Sequence, residues 1–160
     1  MRPQLIIAVD DYENAMSMRK GLAGCAEVTV LELLPEKLPA LATLDAMFLP
    51  LPAAERWGAR PLLHKAQILH TQPAAGTPPV GMPPYVITGV AMAPDDPQDP
   101  RFELQFIMTA VLDAVGSFNA AHPEAIQVIG LWAGHLCVDR LAPEQVGKII
   151  QSVCHKMSPC

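Results

Sequence analysis

The sequence predicts an α/β protein: a three-layer α/β/α sandwich on a mixed, mostly parallel sheet. Three observations carry this. Short apolar runs with β-branched members alternate with stretches whose apolar residues recur at helical spacing. The runs are continuously apolar rather than alternating, as in strands buried on both faces. Composition is uniform across all 160 residues, with no internal repeat, so a single domain is expected over 1–160. A chain of about 150 residues buries roughly 70% of its unfolded surface and needs no disulfide or metal to hold a core.

Leu5 to Val9 is the first such run, ended by Asp10 and Asp11, either of which can cap a helix over Tyr12 to Leu22. Gly21 or Gly24 can stop that helix. Val28 to Leu33 reads as the second strand, closed by Pro35 and Pro39, and Asp45 to Leu49 as the third, closed by Pro50 and Pro52. From Arg60 to Leu69 the positions Leu62, Leu63, Ala66 and Leu69 have helical spacing, with Pro61 suited to a first turn. Pro73, Pro78, Pro79, Pro83 and Pro84 mark a stiff loop before the strand Tyr85 to Ala91. Pro94 to Pro100 is an acidic loop. The clearest helix follows from Arg101 to Asn119, its stripe formed by Leu104, Ile107, Met108, Val111, Leu112, Val115 and Phe118. Ala125 to Leu131 is the last strand. A final helix opens at Pro143 and buries Val146, Ile149, Ile150 and Val153. The strands at Leu5, Val28, Asp45, Tyr85 and Ala125 are expected in one sheet, with the Arg101 helix packed across it.

Composition narrows the function. With 11 basic against 16 acidic residues and a net charge of -5, the chain lacks the basic stripe that non-specific nucleic-acid binding needs. Apolar residues make up 51% and charged residues 17%, which excludes wholesale disorder. Cys25, Cys137, Cys154 and Cys160 form no CxxC, and read as reduced thiols of a cytoplasmic protein. The segment before Asp10 is too short for a signal peptide, and no continuous apolar run reaches the roughly 20 residues of a membrane span. A soluble protein without membrane contact is expected.

Ligands of α/β sheets sit beyond the carboxyl ends of the strands, so the loops after Val9, Leu49, Ala91 and Leu131 are the places to search. Ile129-Gly130-Leu131-Trp132-Ala133-Gly134-His135 is the most informative of them. Two glycines after a buried strand can let the chain turn and present N–H groups to an anion, although the segment is neither GxGxxG nor a P-loop.

Four segments in order carry a resemblance. Asp45-Ala46-Met47-Phe48-Leu49-Pro50 is similar to the macro-domain strand D-A-hydrophobic-V-N-P. Val90-Ala91-Met92-Ala93-Pro94, before a long helix, is similar to A-P-T-M-x-x-P, and Ile129 to Gly134 to P-G-L-G-T-G. Leu141-Ala142-Pro143-Glu144-Gln145-Val146 is similar to L-S-P-E-x-A. The chain thus resembles a divergent macro domain from about Leu5 to Val153. The resemblance implies a macro-like α/β/α fold and binding of ADP-ribose or a related nucleotide. It places the ligand against the backbone of Gly130, Leu131, Trp132, Ala133, Gly134 and His135. Trp57 and Trp132, each in a loop near the carboxyl ends of the strands, either close over the cleft as an apolar lid or offer one ring to an aromatic ligand or a partner protein, and no cofactor or metal is expected.

The departures set the expected activity. The family's N-P-A-N asparagines are replaced at Leu49 and Pro52, which cannot hydrogen-bond a ribose or orient a water through their side chains. Ala54-Glu55-Arg56-Trp57-Gly58 replaces the glycine-rich loop. Trp132 stands for the middle glycine of the phosphate loop, Ala133 for its threonine and Ala142 for the capping serine. Extra residues lie near Cys137 to Asp139. A weakly binding, non-catalytic module is expected. The alternative is a structural or protein-interaction domain whose cleft is vestigial, with Trp132 filling it against Leu49, Leu51 and Trp57.

Other chemistry is less well supported. His135, Cys137 and Asp139 alternate on an extended segment, where they could form a nucleophile and base, but a loop cysteine with polar neighbours explains them as well. His135, Cys137, Cys154 and His155 are ligand types, yet Cys154 and His155 are adjacent on a helix and diverge. No GxSxG is present. Asp95, Asp96 and Asp99 fit a solvated loop, His64, His70 and His122 fit surface positions, and the eight methionines fit core filler.

Overall fold

The computed structural model describes residues 3–39, 41, 43–60, 65–71, 83–88, 100–123, 125–136 and 141–156. In chain order these form β1 (Gln4–Val9), α1 (Tyr12–Gly21), β2 (Val28–Glu32), β3 (Ala46–Leu49), α2 (Leu51–Ala54), β4 (Gln67–His70), β5 (Tyr85–Thr88), α3 (Pro100–Ala121), β6 (Val128–Trp132) and α4 (Pro143–Lys156). All six strands belong to one sheet in the order β2-β1-β6-β3-β5-β4. Every pairing is parallel except β4 with β5. The sheet is therefore mixed and mostly parallel, and it contains all five expected strands.

The sixth strand corrects the sequence reading. Gln67–His70, expected as the end of a helix from Arg60 to Leu69, is β4, while 61–64 lie outside the described residues. Ile68 stands opposite Ile87 and Leu69 opposite Val86, so the short apolar run is consumed by pairing with β5. Over ten residues the two periodicities share too many positions for spacing alone to decide.

Alternation along the strands divides the core in two. Leu5, Ile7, Val9, Ala46, Phe48, Ile87, Ile129 and Leu131 point to the face covered by α1, α3 and α4, and each is under 4% exposed. Ala8, Met47, Leu49 and Val86 point the other way, where Leu38, Leu44 and Ala54 cover them. Among the described residues the layers are thus unequal: three long helices on one face, short helical turns and loop on the other.

Local chemistry fixes the helices. Asp11 caps α1, its Oδ1 accepting from the Glu13 N–H at 3.2 Å, and Arg19 and Lys20 close the last turn with favourable charge. Pro52 falls in the first turn of α2, where its missing N–H costs nothing. The 22 residues of α3 are long and apolar enough, by length and composition, to cross a membrane. Its Leu104, Met108, Val111 and Val115 are fully buried against the sheet. Helices α1 and α4 touch through their backbones. A Cβ added at Gly21 would stand 2.1 Å from the Glu144 carbonyl oxygen, and one at Gly147 2.5 Å from that of Met18.

Two polar side chains tie the strands in register. Asp45 Oδ2 accepts from the N–H groups of Gln127 at 2.8 Å and Val128 at 3.0 Å, binding the start of β3 to β6. Asn119 accepts from the Ile126 N–H at 3.0 Å and donates to the Ile126 carbonyl at 2.8 Å, closing the turn from α3 into β6.

Candidate ligand-binding site at the carboxyl end of the sheet

The five parallel strands β1, β2, β3, β5 and β6 end on one edge, which carries Val9, Glu32, Leu49, Thr88 and Trp132. Because β6 lies between β1 and β3, the turn after Trp132 is flanked by the strands that end at Val9 and Leu49.

The segment 130–135 divides between core and edge. Gly130 is buried inside β6, paired with Ile6 on one side and Met47 on the other. An added Cβ would stand 2.8 Å from Leu44 Cδ1 and 3.3 Å from Leu38 Cδ1. Leu131 is fully buried against the helices. Trp132 ends the strand, and Ala133–His135 forms a 3-10 turn closed by the Leu136 N–H on the Ala133 carbonyl at 2.9 Å. Neither Gly130 nor Gly134 takes a left-handed φ. Both admit a neighbouring side chain: Leu44 over Gly130, and over Gly134 the Trp132 indole, whose Cη2 would meet an added Cβ at 2.7 Å.

The indole is half-buried. It packs on the apolar cluster of Ala8, Met47 and Leu49, with His135 edge-on at a ring separation of 4.8 Å. Trp57, from the 3-10 turn after α2, packs against the same cluster, and the Arg56 guanidinium lies 4.5 Å over its ring. The two tryptophans thus help close the apolar side of the sheet edge. Beside Trp132 a cleft of ≈ 230 Å³ remains, lined by Val9, Asp10, Asn14, Met18, Trp132, Ala133, Gly134 and Pro143. The expected filling is partial: Trp132 and Trp57 pack on one apolar cluster with Leu49, Trp132 only half-buried, and a cleft remains next to it.

Two polar atoms near this edge are buried with no hydrogen-bond partner among the described residues, Thr88 Oγ1 at the end of β5 and His135 Nδ1. Burial holds the His135 imidazole below the ordinary histidine range, so it stays neutral at pH 7. Buried polar groups are normally satisfied, and these two leave hydrogen-bonding capacity at the sheet edge. Sequence reading missed Thr88, which looks like any strand threonine, and it missed Asp10 and Asn14 as cleft residues. A polar residue just past a buried strand was the available signal for Asp10.

The remaining candidates separate. Cys137, Asp139, His64 and the acidic loop Asp95 to Asp99 lie outside the described residues. Cys154 is buried while His155 is exposed, and among the described residues no group of three or more His, Cys, Asp or Glu converges on a metal position. His70 and His122 are exposed, as expected, but they end an aromatic ladder. His70 lies 5.0 Å from Tyr85, Tyr85 5.2 Å from Phe118, and Phe118 4.4 Å from His122. No family model matches the chain, and no curated protein or solved structure is significantly similar to it.

Proposed function

We propose that this chain is a macro-domain-like module that binds ADP-ribose or a related nucleotide weakly at the carboxyl end of its sheet, without catalysing a reaction on it. The cleft beside Trp132 carries the reading. Trp132 is among the lining residues, and an indole at this edge can stack on a flat heterocycle, worth on the order of 1–3 kcal/mol. Asp10 supplies an acceptor for an exocyclic amine, and Asn14 both a donor and an acceptor. The neighbouring strands β3 and β6 bring the Leu49-Pro50 exit beside the 132–135 turn, as the resemblance requires of two segments that hold one ligand. The volume limits affinity. Sites for drug-sized ligands span roughly 300–1,000 Å³, so ≈ 230 Å³ takes a base while the rest of a nucleotide lies along the surface. The Asp10 carboxylate also repels a diphosphate placed close to it.

Calorimetric titration of the whole chain with ADP-ribose, AMP and adenosine is the test, read beside quenching of tryptophan fluorescence. Binding in the millimolar range, with quenching lost in Trp132→Phe, is expected. Absence of heat, thermal shift and quenching at millimolar ligand refutes nucleotide binding. It would favour the second reading, a protein-interaction domain with an occluded cleft, which the packing of Trp57 and Trp132 on one apolar cluster supports. A cytoplasmic setting belongs to either reading.

A further inference from the structure

We propose that Cys25 and Cys154 form a site of reversible oxidation, at which a low-molecular-weight disulfide converts the two thiols into an intramolecular disulfide clipping the turn after α1 to the last turn of α4. The site is independent of the nucleotide reading and lies away from the cleft at Trp132. Cys25 is half-exposed in the turn between α1 and β2, and Cys154 is buried near the end of α4. The Cys154 thiol is within hydrogen-bonding reach of Cys25, whose own S–H donates to Glu27 Oε2 at 3.5 Å. Cys25 and Cys154 both line a cavity of ≈ 210 Å³, together with Glu27, Gln151 and His155. The surroundings hold the two elements together. Gln151 Nε2, less than one turn before Cys154, donates to the Ala23 carbonyl at 2.7 Å, and the backbone contact of Gly21 with Gly147 fixes the helices upstream.

The chemistry balances in two exchanges. Cys25 is the accessible thiol. It releases its proton to solvent, its sulfur attacks one sulfur of the oxidant, and the S–S bond of the oxidant breaks to expel one thiolate, which takes up a proton. Cys154 then loses its proton and attacks the Cys25 sulfur of this mixed disulfide. The protein disulfide forms and the second thiol leaves. The two cysteines lose two electrons and two protons, and the oxidant becomes two thiols. Excess thiol reverses both steps. Burial, with the Glu27 carboxylate beside it, pushes the Cys25 thiol up, so it stays protonated at neutral pH and exchanges slowly. The groups facing Cys25 are Glu27 on its own turn and Cys154 and His155 on α4. Replacing Glu27 with a neutral residue speeds the first exchange.

The whole chain is incubated at pH 8 across a series of glutathione to glutathione disulfide ratios, alkylated, digested without reduction and analysed by mass spectrometry. A peptide pair joined through Cys25 and Cys154, lighter by two hydrogens than its parts, is expected to accumulate with oxidant and vanish with dithiothreitol. In Cys154→Ser a glutathione adduct persists on Cys25, and in Glu27→Gln the loss of free thiol at pH 7 is several-fold faster. Free thiols at both positions under excess oxidant overturn the proposal. So does a lasting glutathione adduct in the unsubstituted chain, or preferential linkage of either residue to Cys137 or Cys160. An unchanged rate in Glu27→Gln overturns the role given to that carboxylate.

Discussion

Replacing Gly147 by alanine tests the helix contact that closes the main core. In an ordinary helix interior the exchange stabilises by up to about 1 kcal/mol, because glycine loses more backbone freedom on folding. Here the new Cβ would stand 2.5 Å from the Met18 carbonyl oxygen, 3.1 Å from Gly21 Cα and 3.2 Å from Gly21 C. All three are backbone atoms, so no rotamer change relieves them. Restoring ordinary contact moves α4 away from α1 by nearly 1 Å, which disturbs Met18, Val146 and Ile150, each fully buried between them. Overpacking of this kind costs about 1–3 kcal/mol. A rigid backbone contact belongs at the upper end, so with the propensity gain subtracted the net loss is about 2 kcal/mol. For a domain of this size that lowers the midpoint by roughly 4–8 °C. Gly116 supplies the control: it is exposed in α3 with nothing within 4 Å of an added Cβ, so Gly116→Ala raises the midpoint by roughly 2–4 °C. Thermal and urea unfolding followed by circular dichroism measure both. A Gly147→Ala protein as stable as its parent would refute the close approach of α1 and α4.

Asn119→Ala removes both bonds to Ile126 and destabilises by about 1–3 kcal/mol in urea titration, since the partly buried backbone groups lose their partner. Trp132→Gly loses the indole packed on the second cluster, at a cost of roughly 2–3 kcal/mol, and widens the cleft. Its affinity for adenosine tests whether the enlarged space admits more ligand or is weakened by loss of the stacking indole. His135 ties stability to pH: its folded pKa lies below the 6.5 of the free group, so the unfolded chain takes up the proton first. Its contribution is full above pH 6.5 and is lost as pH falls from there towards the depressed folded value; His135→Phe flattens that part of a pH–stability profile. On ADP-ribosylated protein the chain releases no ADP-ribose above a no-protein control, because Leu49 and Pro52 offer no polar side chain to position water.

The alternation of buried strands and periodic helices was legible because it reflects burial, which the sequence encodes directly. α1, α3 and α4 fall within two residues of where spacing and caps put them. β4 was misread because a four-residue edge strand is defined by its partner β5, and the partner is invisible to local periodicity. The glycines of 130–134 were noticed, but not the side chains that pack over them. Sequence shows that a side chain is missing, whereas only the structure shows that Leu44 and the Trp132 indole occupy the space. Asp45 and Asn119 bind backbone groups that are distant in sequence or turned by an intervening loop, and spacing carries no trace of such bonds. Trp132 beside the cleft stood out in the sequence because a large indole at a strand exit is unusual in itself. Its neighbours Asp10 and Asn14 join it only through the pairing of β1 with β6.

The strand order also sets when this chain can fold. β6 follows all the other described strands in chain order, and it inserts between β1 and β3, which share no ladder with each other. Until residues 128–132 emerge from the ribosome, the nascent chain holds at most two separate ribbons, β2-β1 and β3-β5-β4. Each then exposes an apolar edge that the finished sheet hides. Assembly must therefore wait for contacts bridging more than a hundred residues, which places this topology among slow folders and leaves unpaired edges open to association in the interval. A chain cut before Val128 would leave two half-sheets with no backbone ladder between them. β6 acts as the keystone of the sheet.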